Sequence, residues 1–188
     1  TKDDHRDPGL HSSCGKPVPF VDIETTADDR KDIGEVRVKS PYLLKEYLNN
    51  PNATASILKR GWLYTGDIGY IDEHGYLFLK DRAKDMIISG GMNVYTAEVE
   101  QALKRHPAVV DAAVIGVPHH DWGEQVHAVV VANDDVDISD VALIEHCKAE
   151  LSRYKIPKSM EFRRSLPLTA YGKVDKKALR NDNRGELQ

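Results

Sequence analysis

The sequence predicts an α+β fold in two parts: a small β-rich, barrel-like segment over residues 1–80, then a compact α+β domain over residues 85–188 with helices packed on a sheet. Three observations carry this. Short apolar–polar alternations separated by turn residues fill the first part. After Lys80 the rhythm changes to strand, helix, strand, strand, helix, strand. Between the two rhythms lies a charge run, Asp81-Arg82-Ala83-Lys84-Asp85, which reads as a solvated connector and places the boundary in Lys80–Lys84.

In order, Val18–Thr25 and Glu35–Lys39 alternate as strands, and Asp28-Asp29-Arg30-Lys31-Asp32 between them reads as a solvated turn. A short helix is expected around Leu44–Leu48, ended by Asn49-Asn50-Pro51. Trp62–Tyr64, Gly69–Asp72 and Tyr76–Lys80 read as separate short strands, the last two joined by the hairpin loop Asp72-Glu73-His74-Gly75. Met86–Ser89 is a short strand ending at Gly90-Gly91. Thr96–Arg105 reads as a helix with Thr96 as N-cap and Pro107 closing it. Glu98 and Glu100 in its first turn, and Lys104 and Arg105 in its last, suit the helix dipole. Val109–Val117 and Gln125–Ala132 are β runs. Ser139–Tyr154 reads as a second helix with Ile144, Cys147 and Leu151 on one face, and Met160–Arg163 as the last strand.

With 40% hydrophobic and 30% charged residues among 188, the chain has the composition of a packed globular protein. A net charge of −4 argues against generic nucleic-acid binding, which shows a basic excess. The two cysteines, Cys14 and Cys147, form no Cys-x-x-Cys, so neither a zinc site nor a disulfide framework is expected, and a reduced, cytoplasmic protein is. The longest apolar runs, Ala112–Val117 and Val129–Ala132, are too short to span a bilayer. The first residues, Thr1-Lys2-Asp3-Asp4-His5, hold no apolar signal core and no initiator Met, so a start inside a longer polypeptide is expected.

Several local patterns could carry chemistry. In Thr169-Ala170-Tyr171-Gly172-Lys173-Val174, a glycine frees the backbone and a lysine projects a fixed positive charge. Such a cation can stabilise negative charge developing on a phosphoryl or carboxylate oxygen, although a surface lysine before a helix is the ordinary reading. Tyr64-Thr65-Gly66-Asp67 reads as a tight turn ending in a carboxylate able to accept from a ribose diol. Ser89-Gly90-Gly91-Met92-Asn93 permits close ligand approach but lacks the Gly-Lys-Ser/Thr ending of a phosphate-binding P-loop. His119-His120, with His127, invites a metal reading that the divergence of adjacent histidines disfavours. Trp122, in a polar loop, is the more informative residue there. Lys148–Arg164 holds six basic residues (Lys148, Arg153, Lys155, Lys158, Arg163, Arg164) against Glu150 and Glu161, a local excess that could attract a polyphosphate.

Each signal is weak alone; their order is not. Tyr64-Thr65-Gly66-Asp67, then Asp81-Arg82 with Ser89-Gly90-Gly91, then Tyr171-Gly172-Lys173-Val174, resembles the late motifs of the ANL superfamily of adenylate-forming enzymes. That superfamily holds acyl-CoA synthetases, peptide-synthetase adenylation domains and beetle luciferases. Gly34-Glu35 and Pro51-Asn52-Ala53-Thr54 also fit, and the similarity runs roughly from Gly15 to Arg180. The resemblance implies that residues 1–80 are the β-rich end of a large amino-terminal domain, 81–84 a hinge, and 85–188 the mobile carboxyl-terminal domain. It implies that Asp67 and Arg82 contact the nucleotide ribose, that Lys84 is the hinge residue, and that Lys173 is the catalytic lysine at the reacting carboxylate and α-phosphate. It assigns Gly90 and Gly91 to the thiol tunnel, and Trp122, Tyr154 and Lys158 to contacts with pantetheine or nucleotide. At Ile156 some relatives carry a basic residue that contacts coenzyme A, and this chain departs from them.

The activity implied is that of an ATP-dependent acyl-CoA synthetase: a carboxylic acid and ATP give acyl-AMP, and coenzyme A then takes the acyl group as a thioester. ATP/AMP, Mg²⁺ and coenzyme A are the implied cofactors, with Mg²⁺ held mainly by the amino-terminal domain. The carboxylic acid, coenzyme A and that domain are the implied partners, with no nucleic acid and no transmembrane segment. The family's phosphate loop and its Tyr-Gly-x-Thr-Glu-type adenine motif are absent from these 188 residues, so the chain is expected to be inactive alone. The alternatives are a carrier-protein-loading adenylation domain and a non-catalytic interaction module with the same fold. A luciferase is disfavoured, and the peroxisomal Ser-Lys-Leu ending is not present.

Overall fold

The computed structural model describes residues 4–27, 32–133, 136 and 138–184. Chain contacts divide it into a first unit ending at Lys84 and a second beginning at Asp85.

The described residues of the first unit form β1 (Ser13–Gly15), β2 (Asp22–Thr25), β3 (Gly34–Lys39), α1 (Pro51–Ile57), β4 (Leu58–Lys59), β5 (Trp62–Ile71) and β6 (Leu77–Arg82). They make a six-stranded antiparallel sheet in the order β1-β6-β5-β3-β2, with β4 against β5. The expected strand over Val18–Thr25 shrinks to β2, because Phe20 takes φ 68° and both it and Val18 face solvent. The expected solvated turn falls mostly on residues 28–31, outside the described residues. The helix expected around Leu44–Leu48 is not formed. The Asn-Pro signal starts a helix instead of ending one: Asn50 Oδ1 accepts the Ala53 amide at 3.0 Å, and Pro51 opens α1. Trp62–Tyr64 and Gly69–Asp72 are one continuous strand, β5. The loop at Asp72 is the expected hairpin. Its carboxylate accepts the His74 and Tyr76 amides at 2.9 and 2.8 Å, and Gly75 takes φ 83°.

The second unit contains β7 (Ile87–Ser89), β8 (Met92–Val94), α2 (Thr96–Lys104), β9 (Val109–His119), β10 (Gly123–Ala132), α3 (Asp140–Glu150), β11 (Ser159–Phe162) and α4 (Lys176–Arg184). β10 is the central strand: antiparallel to β9 along its length, parallel to β11, and joined to β7 at Gly123↔Ser89. Its alternation sorts two cores. Val126, Ala128 and Val130 join Ala112 and Val114 of β9 in one, which Val99 and Leu103 of α2 and Leu143 and Cys147 of α3 cover. Val129 joins Ala113, Ile115 and Val117 in the other, beneath Leu166, Val174 and Leu179 of α4.

Three helix ends differ from expectation. Tyr95, not Thr96, holds the N-cap position of α2; Thr96 is fully buried and its hydroxyl accepts from Lys176 Nζ at 2.7 Å. The second helix stops at Glu150 instead of reaching Tyr154, because Leu151 turns extended (φ −118°, ψ 147°). A 3₁₀ turn over Arg153–Lys155 follows. Ser139, expected inside the helix, is its N-cap, accepting the Ala142 amide at 3.2 Å. The α+β class stands, and no helix among the described residues is long and apolar enough to cross a membrane.

Candidate functional site

Thr65-Gly66-Asp67 is not a tight turn between strands but an irregularity inside β5. Tyr64 pairs with Arg37 and Ile68 with Glu35, so three residues of β5 stand opposite Val36 alone. The distortion is held from both sides. Thr65 Oγ1 donates to the Val36 carbonyl at 2.8 Å, the Gly66 amide donates to Glu35 Oε1 at 3.1 Å, and the Gly66 carbonyl accepts the Ala83 amide at 2.8 Å. Gly66 sits at φ 73°, which a side chain would strain. The result places Asp67 directly across from Arg82, with Arg82 Nε 2.7 Å from Asp67 Oδ1. Arg82, expected in a connector, belongs to β6. A carboxylate has about four acceptor positions, so one ion pair leaves Asp67 capacity for a diol.

Lys173 sits on a small hairpin. Leu168 bridges Val174, the Gly172 amide donates to the Thr169 carbonyl at 2.9 Å, and the Thr169 amide donates to the Lys173 carbonyl at 2.7 Å. Gly172 at φ 75° supplies the left-handed position that this type of loop requires. The hairpin is anchored immediately downstream. Asp175 caps α4 through the Ala178 amide at 3.0 Å, and Leu179 is fully buried. Lys176 Nζ lies 2.7 Å from both Thr96 Oγ1 and Glu100 Oε1 of α2. Two lysines three residues apart thus have opposite fates. Lys176 is neutralised and largely buried; Lys173 is exposed and, among the described residues, its ammonium group has no ion-pair partner. Burial raises the Glu100 carboxyl above its usual range, against the pull of Lys176 and of the Val114 amide, which donates to Oε1 at 2.8 Å.

Gly90 and Gly91, at φ 57° and 80°, form the two-residue turn between β7 and β8. The Gly90 amide donates to the Trp122 carbonyl at 3.0 Å. The indole of Trp122 stacks on His119 at 4.3 Å between centroids, and Lys158 Nζ lies 5.7 Å from its ring. Gly90, Gly91, Trp122 and Lys158 are therefore brought together at one end of the second unit. Tyr154 lies elsewhere: it is half-buried on the 3₁₀ turn and packs against the core under α2 and α3. Lys84 is exposed and closes the first unit. The basic segment is less free than its composition implies. Lys148 pairs with Glu145, Lys155 with Glu98, and Arg163 with Glu161 and Asp182, so the local excess is largely cancelled. The histidines also have separate tasks: His119 stacks on Trp122, His120 pairs with Asp121, and His127 lies in β10 with Nδ1 2.8 Å from Ser159 Oγ.

Sequence reasoning missed the supporting residues. Glu35 appeared only as part of a motif, yet it pins the Gly66 amide. Glu100 reads from the sequence only as a dipole-compensating charge and Lys176 has no assigned role, yet the two form a largely shielded ion pair. Spacing carries no signal for a contact between residues 76 apart in the chain. His119 was weighed only as a metal ligand; its signal was the neighbouring tryptophan.

Residues 98–173 match the family model described as the AMP-binding enzyme C-terminal domain. The chain is 46% identical over 172 residues to the long-chain-fatty-acid–CoA ligase FadD13 of Mycobacterium tuberculosis, across 89% of this chain and 34% of that ligase. It is 40% identical over 180 residues to a long-chain-fatty-acid–CoA ligase of Escherichia coli, across 93% and 32% respectively. Among solved structures, it superimposes on the amide bond synthetase McbA of Marinactinospora thermotolerans with a TM-score of 0.85 at 41% identity, covering 97% of this chain and 38% of that one. It does so on the o-succinylbenzoate CoA synthetase of Bacillus subtilis, in complex with its acyl-adenylate intermediate, with a TM-score of 0.84 at 38% identity, covering 95% and 37%. The chain thus spans about a third of the length of the curated relatives it matches.

Proposed function

The chain belongs to the ANL superfamily of adenylate-forming enzymes as a carboxyl-terminal portion, and from that premise we propose that it serves an ATP-dependent acyl-CoA synthetase. The observation that carries the proposal is Lys173: an exposed ammonium group, without an ion-pair partner among the described residues, on a hairpin fixed by a largely shielded ion pair three residues away. Acid activation brings a carboxylate onto the α-phosphate, so two anions must meet. A held cation offsets that repulsion as the pentacoordinate charge develops, and a preorganised group of this kind lowers the barrier by about 3–4 kcal/mol. The relatives named as CoA ligases support a thiol acceptor, and so do Trp122 and Lys158, an exposed ring beside a cation suited to pantetheine and phosphate.

The remaining assignments are part of the same reading. Asp67 accepts from the ribose hydroxyls while Arg82 orients it, and the donors and acceptors present there fit a diol. Gly90 and Gly91 line the path of the thiol, and Tyr154 contacts pantetheine or nucleotide from the 3₁₀ turn. Lys84, where the first unit closes, is the hinge residue of the 81–84 stretch, whose first two residues end β6, and the two halves of the reaction use different loops of the second unit in turn. Among the described residues no cluster of three His, Cys, Asp or Glu side chains could hold a metal ion. Mg²⁺, the counter-ion of the ATP phosphates, would be held mainly by the amino-terminal domain. A cytoplasmic site of action agrees with the free thiols of Cys14 and Cys147.

The test separates the half-reactions in the full-length enzyme. Lys173→Ala should lower acyl-adenylate formation, read as ATP–pyrophosphate exchange, by about 10²–10³-fold. It should leave thioester synthesis from supplied acyl-adenylate and coenzyme A within a few-fold of wild type. Equal loss of both would sink the role of Lys173, and preference for a holo-carrier protein over free coenzyme A would replace the thiol acceptor.

A further inference from the structure

The Gly90–Gly91 turn is attached to β10 by few bonds. β7 pairs with β10 only at Ser89↔Gly123, and beyond it the Gly90 amide donates to the Trp122 carbonyl. A side chain extends this short ladder: Glu124 Oε2 accepts the Ile88 amide at 3.0 Å, one residue before Ser89. The carboxylate of a β10 residue thus does the work of a strand carbonyl for β7.

Room for that carboxylate comes from the other neighbouring strand. Gly116 lies on β9, opposite Val126, two register steps from Glu124. A Cβ at Gly116 would stand 2.7 Å from Glu124 Oε1 and 2.9 Å from its carboxyl carbon. The backbone of Gly116 is not in the left-handed region, so conformation does not demand glycine there. Space for Glu124 does. The two observations are independent, one a bond and the other a missing side chain, and they meet at one carboxylate.

We propose that Glu124 is a positioning residue for the Gly90–Gly91 turn, with Gly116 keeping its carboxylate in place, so that thioester formation depends on this pair and acid activation does not. The inference rests on the reading that this turn serves the thiol step. Lys173 and its anchors, Lys176 and Glu100, lie outside the Glu124–Ile88 contact and keep their own support.

The experiment uses the full-length enzyme with Gly116→Ala, Glu124→Ala and Glu124→Gln. Gly116→Ala is the informative variant, because the obstructed atoms are the far end of a flexible side chain. The carboxylate can swing away and leave the fold intact while releasing Ile88. Thioester formation from supplied acyl-adenylate and coenzyme A should fall about ten- to a hundredfold in Gly116→Ala and Glu124→Ala, the loss expected from small misplacement of a working loop. Glu124→Gln keeps an acceptor oxygen and should recover most of the rate. ATP–pyrophosphate exchange should stay within about twofold of wild type in all three. Hydrogen exchange at the Ile88 amide should quicken in the two alanine variants. Equal loss of both half-reactions, or an unchanged thioester rate, overturns the positioning role. Gly91→Val is the control on the underlying reading: if it spares the thioester step, the assignment of the turn is wrong and this inference falls with it. If Gly91→Val blocks that step and Gly116→Ala does not, the assignment holds and only the Glu124 clamp is refuted.

Discussion

Replacing Lys176 with Met tests whether the Lys173 hairpin hangs on a truly shielded ion pair. The ammonium group lies 2.7 Å from both Glu100 Oε1 and Thr96 Oγ1, with side-chain exposures of 16% for Lys176 and 18% for Glu100. Breaking a buried pair by removing one partner costs about 3–5 kcal/mol, because the other charge is left without compensation. The residual exposure points to the lower end, about 3 kcal/mol near neutral pH, or roughly 12–24 °C in the Tm of a unit of this size. The pH dependence has a definite sign. Burial already holds the Glu100 carboxyl above its ordinary value of 4.5, and Lys176 is the largest opposing influence. A raised native pKa means that native protein binds the proton more tightly than unfolded protein. The stability it confers is therefore present at low pH and lost as pH rises through the native value. Without Lys176 that native value climbs further. The variant should be close to wild type at about pH 4 and most destabilised at neutral pH.

The assay can be read from one unit alone. The chain has two tryptophans, Trp62 in the first unit and Trp122 in the second. In a Trp62→Phe background, urea unfolding followed by fluorescence reports the unit that contains Lys176. A loss below about 1 kcal/mol at neutral pH, the size of an exposed ion pair, would refute the shielding argument. So would a loss of the same size at both pH values. Lys176→Met combined with Glu100→Gln should regain part of the stability, since no buried charge is then left unpaired.

Two further outcomes are expected. Burial pushes the Cys147 thiol up to about 11, so at pH 8 iodoacetamide should label Cys14 in the native protein and reach Cys147 only after unfolding. Two labels per native chain would show the core under α3 to be open. Asn50→Ala should destabilise the first unit by about 1 kcal/mol, measured through Trp62 fluorescence in a Trp122→Phe background; no change would mean that α1 does not depend on its cap.

Four of the five strands of the second unit and the hairpin at Asp72 are legible in the sequence because alternation and turn chemistry are local, whereas β8 reads as part of a Gly-rich loop. The helix at Pro51 was misplaced for a related reason. Asn-Asn-Pro marks a helix boundary, but the same residues suit the end of one helix or the start of the next. Which one occurs depends on whether Asn50 Oδ1 finds an amide ahead of it, and it finds Ala53. Thr65-Gly66-Asp67 was recognisable as a departure from regular structure. That the strand continues through it depends on β3 and β6 flanking it, which no local pattern contains. The candidate residues themselves came from the order of motifs. Their supports, Glu35, Glu100, Glu124 and Lys176, did not, because each acts through a partner distant in sequence.

The irregularity in β5 has a counting property. Between the Arg37↔Tyr64 and Glu35↔Ile68 pairs, β3 advances by two residues and β5 by four. The surplus is even. A strand turns over once per residue, so an even surplus restores the original phase, and residues on either side of the detour keep the faces they would have had without it. The sheet between β3 and β5 therefore does not register that Asp67 is there. A carboxylate that pairs with Arg82 of β6 has been added as a whole wavelength. The segment that presents it can change its shape or chemistry without reversing the inside and outside of the strand that carries it.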